Sequence, residues 1–258
     1  QFQKSSDYKF IELTNGLTAY KEFGSNNNTP IIMIHGGTVP SEGYTDFCKN
    51  LSQRGYWVIC YDQFGRGYSD RPKIKYSMNI YQQQLDELLD HLNIDQFILY
   101  GVSMGAPIAI EFANNNINRS LAVGIQVPVV NINNFIFKIL RIPFLGEITM
   151  RFFGLPLIKK RALEWGNEVS LSKELINGYI NQLILPGSEY SLLSSSRYLF
   201  PKNYFSTYEV FSKSNIPLHI AYANDDTEVS PQSVESIISL NKDADVFVFS
   251  GGHAGSSK

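Results

Sequence analysis

Hydrophobic and polar positions change period along the chain, and each change marks an element. Phe10 to Phe23 reads as a β-hairpin turning at Asn15-Gly16, the strongest two-residue hairpin signal. After the polar spacer 24–29, Pro30 opens Ile31-Ile32-Met33-Ile34, an unbroken apolar run that ends at His35-Gly36-Gly37. A short strand with no polar face suits a sheet covered on both sides. Tyr44, Phe47, Cys48 and Leu51 then recur at helical spacing, with Gly55 placed to close the helix. Tyr56 to Tyr61 is the next apolar strand, and Ile80, Leu85, Leu88, Leu89 and Leu92 mark a second amphipathic helix with Ser77 as its expected cap. The strand Phe97 to Tyr100, the helix-forming stretch Ala106 to Ala113 and the strand Leu121 to Val127 continue the alternation. Strand and helix in turn predict a parallel sheet.

Between about Val130 and Ser212 this rhythm breaks. The stretch is helical and aromatic, punctuated by Pro143, Gly146, Gly154, Pro156, Pro186 and Pro201, and carries no obvious strand. The strand pattern resumes at Pro217 to Tyr222 and at Val246 to Phe249. A helical insertion between sheet strands is most simply a lid over the strand ends. The expected organisation is therefore α/β, a mostly parallel sheet of about eight strands flanked by helices. Residues 1–129 and 213–258 form the core and 130–212 the helical lid. No internal repeat or low-complexity tract interrupts it.

Composition narrows the function classes. A chain of 258 residues can bury a sizeable core. A net charge of −2 leaves no basic footprint for nucleic acid, and no uninterrupted apolar run is long enough for an integral membrane segment. Cys48 and Cys60 show neither metal-ligand spacing nor a disulfide framework, and both fall where buried thiols are expected. No cofactor or metal is expected. The chain begins at Gln1 without a signal-peptide pattern, and the expectation is that an export signal or an N-terminal tail has been removed. The location expected is cytoplasmic, with an exported mature form as the alternative.

The chemistry centres on Gly101-Val102-Ser103-Met104-Gly105, between a strand and a helix. A Gly-x-Ser-x-Gly at such a junction describes a nucleophile elbow, a sharp turn that pushes one hydroxyl above a parallel sheet. Its glycines allow backbone segments to approach closely while the serine itself is strained. Ser103 needs a base to take its proton. Of the four histidines, His91 lies in a predicted surface helix and His219 inside an apolar strand, while His35 begins a glycine loop that its ring is expected to pin. Only His253 follows the last predicted strand, in a Gly-Gly-His turn that can bring imidazole to the top of the sheet. Two carboxylates, Asp225 and Asp226, compete for the acid position at the end of the Leu218 to Tyr222 strand.

These motifs together resemble the α/β-hydrolase superfamily, in its lidded, esterase-like group. The resemblance rests on His35-Gly36-Gly37, the Asp-x-x-Gly-x-Gly-x-Ser pattern of Asp62 to Asp70, Gly101 to Gly105, Asn224-Asp225-Asp226 and Gly251-Gly252-His253, and covers nearly the whole chain. It implies a Ser103–His253–acid triad, with the acid before the histidine in chain order. The family's Gly-x-x-Asp pattern aligns Ala223-Asn224-Asp225-Asp226 so that Asp226 is the acid, with Asp225 as the fallback because Ala223 replaces the glycine. Relatives that carry the acid after the preceding strand have a carboxylate there, whereas Pro128 to Asn133 has none. The implied oxyanion donors are the backbone N–H groups of Met104 and Gly37. The Asp62 to Asp70 loop is expected to be architectural, with Arg66 in a loop salt bridge in preference to a substrate carboxylate.

The function implied is a serine hydrolase cleaving small-molecule carboxylic esters through an acyl-enzyme. Phe135, Phe137, Phe144, Leu145, Phe152, Phe153, Leu155 and Leu157 suggest an apolar acyl pocket, or the packing of lid helices. Lys138, Arg141, Arg151, Lys159, Lys160 and Arg161 interleave with them, as a solvated helix face or as a surface for an anionic membrane or a carrier protein. Relatives with aspartate at the elbow, the haloalkane dehalogenases and epoxide hydrolases, are set aside by Ser103. Prolyl iminopeptidases share the His-Gly-Gly start, but their loop continues with Pro-Gly where this one has Thr38-Val39. Hydrolases that cleave carbon–carbon bonds of ring-fission products are the leading enzymatic alternative. A slow-turnover small-molecule receptor and a surface-activated lipase are the others. The family follows its histidine loop with a final helix, whereas this chain stops five residues past His253. Either the sequence is cut short or that helix is absent. Oligomeric state is not legible.

Overall fold

A computed structural model describes residues 7–132, 135–168, 173–200 and 203–253. Its strands are β1 (Lys9–Leu13), β2 (Gly16–Phe23), β3 (Thr29–Ile34), β4 (Tyr56–Tyr61), β5 (Phe97–Val102), β6 (Ser120–Gln126), β7 (Leu218–Ala223) and β8 (Asp245–Phe249). They form one eight-stranded sheet in the order β1-β2-β4-β3-β5-β6-β7-β8. The β1/β2 and β2/β4 pairs are antiparallel, and every other pair is parallel.

Side chains along a strand alternate between faces, so an all-apolar strand must be covered twice. Ile32 and Ile34 of β3 join Ile59, Tyr61 and Leu99 on one face, which α2 (Met78–His91) and α3 (Gly105–Asn115) cover with Leu85, Leu88, Ile108 and Phe112. Ile31 and Met33 face the other way with Val58, Cys60 and Val102, under Cys48 of α1 (Thr45–Gln53). Both cysteines are buried and free, as their apolar settings predict. Ser77 does occupy the N-cap position of α2, but its side chain makes no capping hydrogen bond.

Between β6 and β7 the described chain is helical: α4 (Phe135–Leu140), α5 (Leu145–Thr149), a π-helical turn at Met150–Gly154, α6 (Leu155–Glu168), α7 (Lys173–Leu183), α8 (Ser188–Tyr198) and α9 (Phe205–Phe211). One further helix, α10 (Pro231–Leu240), was not anticipated. Its signals are present, with Pro231 in the first turn and Val234 and Ile237 buried one helical turn apart.

Candidate active site

Ser103 stands between the end of β5 and the start of α3 with φ +53°, in the left-handed region that a non-glycine residue rarely adopts. The neighbouring glycines are required by space. A β-carbon on Gly101 would run into the carbonyl of Gly105, and one on Gly105 would collide with the carbonyl oxygen of Ile34 in β3. The turn is tied down by the Ser103 N–H, which donates to the Gln126 carbonyl at 2.8 Å, and by the Ser103 carbonyl, which accepts from Ala106 at 3.1 Å and Val129 at 3.3 Å. Val127 beside it has φ +40°, an outlier for a β-branched residue, so two strained backbones adjoin at the same edge of the sheet.

His253 reaches this hydroxyl from 150 positions away. Its Nε2 lies 3.0 Å from Ser103 Oγ, and its Nδ1 lies 2.8 Å from Asp226 Oδ2. An ionised carboxylate only accepts, so Nδ1 carries the proton and Nε2 is left to accept from the serine. Asp226 is buried, and its other oxygen accepts from the N–H groups of Glu228 (2.8 Å) and Val229 (3.0 Å). Burial acts to raise the pKa of this carboxyl. The hydrogen bond from His253 and the two backbone donors outweigh it and hold the group below the ordinary carboxylate value.

Asp225 has a different task. Its carboxylate accepts from Gly251 N–H at 3.0 Å and Gly252 N–H at 2.8 Å, and these bonds lower its pKa. It thus clamps the turn that delivers His253, where Gly252 sits at φ +63°. Of the two competing carboxylates, Asp226 meets the imidazole and Asp225 holds its backbone.

Met104 occupies the N-cap position of α3, where helix geometry leaves N–H groups without intrahelical partners. A β-carbon on Gly37 would lie 3.7 Å from Met104 Sδ, and one on Gly36 would lie 3.4 Å from Ser103 Cβ. The loop after β3 therefore lies directly against the elbow. His35 begins it fully buried. Its Nδ1 donates to the Gly36 carbonyl at 2.6 Å, and its Nε2 accepts from the Gln63 N–H at 3.0 Å. Burial pushes its pKa down to about 4, so the ring stays neutral and acts as a pin.

Arg66 corrects the expectation of a loop salt bridge. Only 4% exposed, it donates from Nε to the Gly37 carbonyl at 2.6 Å and from its two terminal nitrogens to Ser191 and Ser195 at 3.2 Å each. The guanidinium ties the glycine loop to α8. Arg71 to Ser188 (2.8 Å) and Tyr76 N–H to Ser194 (3.0 Å) extend the seam. These serines escaped the sequence reading, although Ser188, Ser191 and Ser195 recur at helical spacing as a polar stripe on an otherwise mixed helix.

The aromatic residues of the helical insert also depart from expectation. Phe137 and Leu155 are partly buried, but Phe135, Phe144, Leu145, Phe152, Phe153 and Leu157 face solvent. Phe200 of the insert does meet the glycine loop, its ring edge 3.5 Å from where a β-carbon on Gly37 would stand, and Phe137 packs on it at 5.4 Å between ring centres. A cleft of about 340 Å³ on α8, lined by Glu147, Tyr190, Arg197 and Tyr198 among others, shares no residue with the Ser103, His253 and Asp226 constellation.

Comparison with known proteins agrees with this geometry at the level of fold. The family model described as alpha/beta hydrolase fold matches residues 29–123. A proline iminopeptidase of Clostridium botulinum is 29% identical over 115 residues, 40% of this chain and 39% of that protein. Across the curated relatives first in rank, the matched stretch spans only about two fifths of their length. The enol-lactonase of Burkholderia xenovorans superposes with a TM-score of 0.80 at 14% identity, covering 96% of this chain and 94% of that one. A thermophilic esterase of Thermogutta terrifontis gives 0.78 at 17% identity, covering 98% and 93%. The chain has the α/β-hydrolase fold.

Proposed function

We propose that this α/β-hydrolase-fold protein hydrolyses carboxylic esters through an acyl-enzyme on Ser103. The observation that carries the reading is the continuous relay of 3.0 Å and 2.8 Å from Ser103 Oγ through His253 to the buried Asp226. Ser103 Oγ attacks the ester carbonyl carbon as its proton passes to His253 Nε2. The tetrahedral oxyanion is held by the N–H groups of Met104 and Gly37. The C–O bond to the alcohol then breaks, and Nε2 returns the proton to the departing oxygen. Water repeats the sequence on the acyl group and regenerates Ser103. Asp226 stays ionised throughout, fixing the tautomer and balancing the imidazolium.

The insert acts as the lid in this reading, and Phe200 with Phe137 forms the apolar wall beside the oxyanion loop. So short a wall suits small to medium uncharged acyl groups. Each buried CH₂ gains about 0.8 kcal/mol until the wall is covered. Across p-nitrophenyl esters from acetate to palmitate, below their aggregation limits, kcat/KM should rise and then fall. A monotonic rise through palmitate would replace this reading with a surface-activated lipase.

The carbon–carbon hydrolase alternative, which looks to Arg66 or a lid arginine for its dienoate, is less well supported, because the guanidinium of Arg66 is committed to Gly37 and α8 and Glu228 Oε2 stands 4.0 Å from His253 Nε2. An anionic dienoate would meet that carboxylate. The same carboxylate favours a second reading, cleavage of an amide next to a free amino group, in keeping with the likeness to proline iminopeptidases. Aminoacyl p-nitroanilides turned over faster than the best p-nitrophenyl ester would decide for it.

A further inference from the structure

The insert displays apolar side chains that an ordinary fold would hide. Phe144 is 84% exposed, Phe135 72%, Phe153 69% and Phe152 64%, with Ile148 and Leu157 also open to solvent. Ile148 and Phe152 are four residues apart along the α5 and π-helical run, and Phe144 stands at the cap that opens it. Phe144 is held at φ +66° and ψ −47° in a γ-turn closed by Leu145 N–H to the Pro143 carbonyl at 2.8 Å, a strained conformation for a bulky residue.

Charge is distributed in the same way. Residues 135–160 hold five cations, Lys138, Arg141, Arg151, Lys159 and Lys160, and one carboxylate, Glu147, within a chain of net charge −2. Glu147 is taken by Arg197 at 2.8 Å, and Lys160 lies 3.7 Å from Glu164. Among the described residues no carboxylate pairs with Lys138, Arg141, Arg151 or Lys159. No described helix is long and apolar enough to cross a membrane. Phenylalanines projecting from a helix flanked by unpaired cations are the chemistry of a helix that lies in a lipid interface, its rings among the acyl chains and its charges at the headgroups.

We propose that the outward face of α4 to α6 docks reversibly on an anionic lipid bilayer. The occupant is set by charge complementarity: a neutral or cationic surface would leave four cations unmatched. The proposal does not depend on ester hydrolysis.

The test is co-sedimentation of the full chain with vesicles of phosphatidylcholine alone or mixed with phosphatidylglycerol, at low and high salt. Binding should be strong on the mixed vesicles and weak on the neutral ones, and should fall as salt rises. Replacing Lys138, Arg141, Arg151 and Lys159 together by Gln should weaken it by roughly six hundredfold, at about a factor of five per charge. Phe144→Ser with Phe152→Ser and Phe153→Ser should abolish it while near-UV dichroism and ester turnover in solution stay at the parent level. Equal partition into neutral and anionic vesicles, no partition into either, or binding unchanged in both variants would overturn the proposal. Light scattering that shows a dimer dissolved by the Phe replacements would overturn it too, assigning the face to a second copy of this chain.

Discussion

The elbow and the helical insert dispose of their apolar residues in opposite ways. Around Ser103, β3 and α3 bury every large side chain from Ile32 to Ile34 and from Ile108 to Phe112 except Glu111, and at Gly101 and Gly105 there is no room for even a methyl group. Thirty to fifty residues further on, phenylalanines stand in water. Burial of such a side chain would gain about 1.5–3 kcal/mol, so the insert forgoes stability that the sheet collects. One region is shaped by packing. The other is shaped by what it touches outside itself.

The sharpest way to break this comparison lies within the relay. Asp226→Asn should cost about four powers of ten in kcat for ester turnover, because the amide can donate where the imidazole must donate and so favours the wrong tautomer. Asp225→Asn should cost much less, since its task is to hold the Gly251-Gly252 turn, and the loss should appear together with increased mobility of the His253 loop. Steady-state kinetics on the two variants decide. Equal losses would mean that the two carboxylates are not divided between ring and backbone.

Next in size is a single methyl group at the elbow. Gly105→Ala should destabilise the fold by about 3 kcal/mol or prevent its folding, because the new β-carbon meets the Ile34 carbonyl in a place that cannot give. Urea denaturation measures it, and an unchanged midpoint would show that the elbow is looser than described.

Acid should reveal the pin of the glycine loop. His35 has its pKa lowered from 6.5 to about 4 by burial, so below pH 6.5 the unfolded chain takes up a proton that the native ring refuses. Its contribution is intact above pH 6.5, declines as the pH falls towards 4, and amounts to about 3 kcal/mol over that window. Melting temperatures measured across this range should fall on acidification. His35→Asn should flatten the slope, and an equal slope in that variant would assign it elsewhere.

The smallest effect has the opposite sign. Phe144→Gly should raise stability by about 1 kcal/mol, because glycine adopts the positive φ without strain and the ring that is lost was in solvent. A loss of stability on this replacement would mean that the ring packs against something in solution.

Much of this was legible in the sequence because it is local. Unbroken apolar runs such as Ile31 to Ile34 and helical recurrences such as Leu85, Leu88 and Leu89 each report their own neighbourhood, and the alternation of the two implies a parallel sheet. Ser103 and His253 were legible for a similar reason, as each follows a strand and sits beside glycine. Asp226 is singled out as the acid only through the family's Gly-x-x-Asp pattern, and the backbone role of Asp225 carries no signal, since two adjacent carboxylates differ only in where the loop turns them. The role of Arg66 was hidden because its partners, the Gly37 carbonyl and two serines of α8, lie 29 to 129 positions away and carry no charge to announce them. The outward aromatic face was hidden because periodicity states that a helix has an apolar side and is silent on whether that side faces in or out.

The most direct test of the central claim is the mass of the intact protein after exposure to a fluorophosphonate. One adduct should form, peptide mapping should place it on Ser103, and Ser103→Ala should take up none and lose ester turnover while melting as the parent does. An adduct on another serine, or turnover in Ser103→Ala within a few-fold of the parent, would contradict an acyl-enzyme at the elbow.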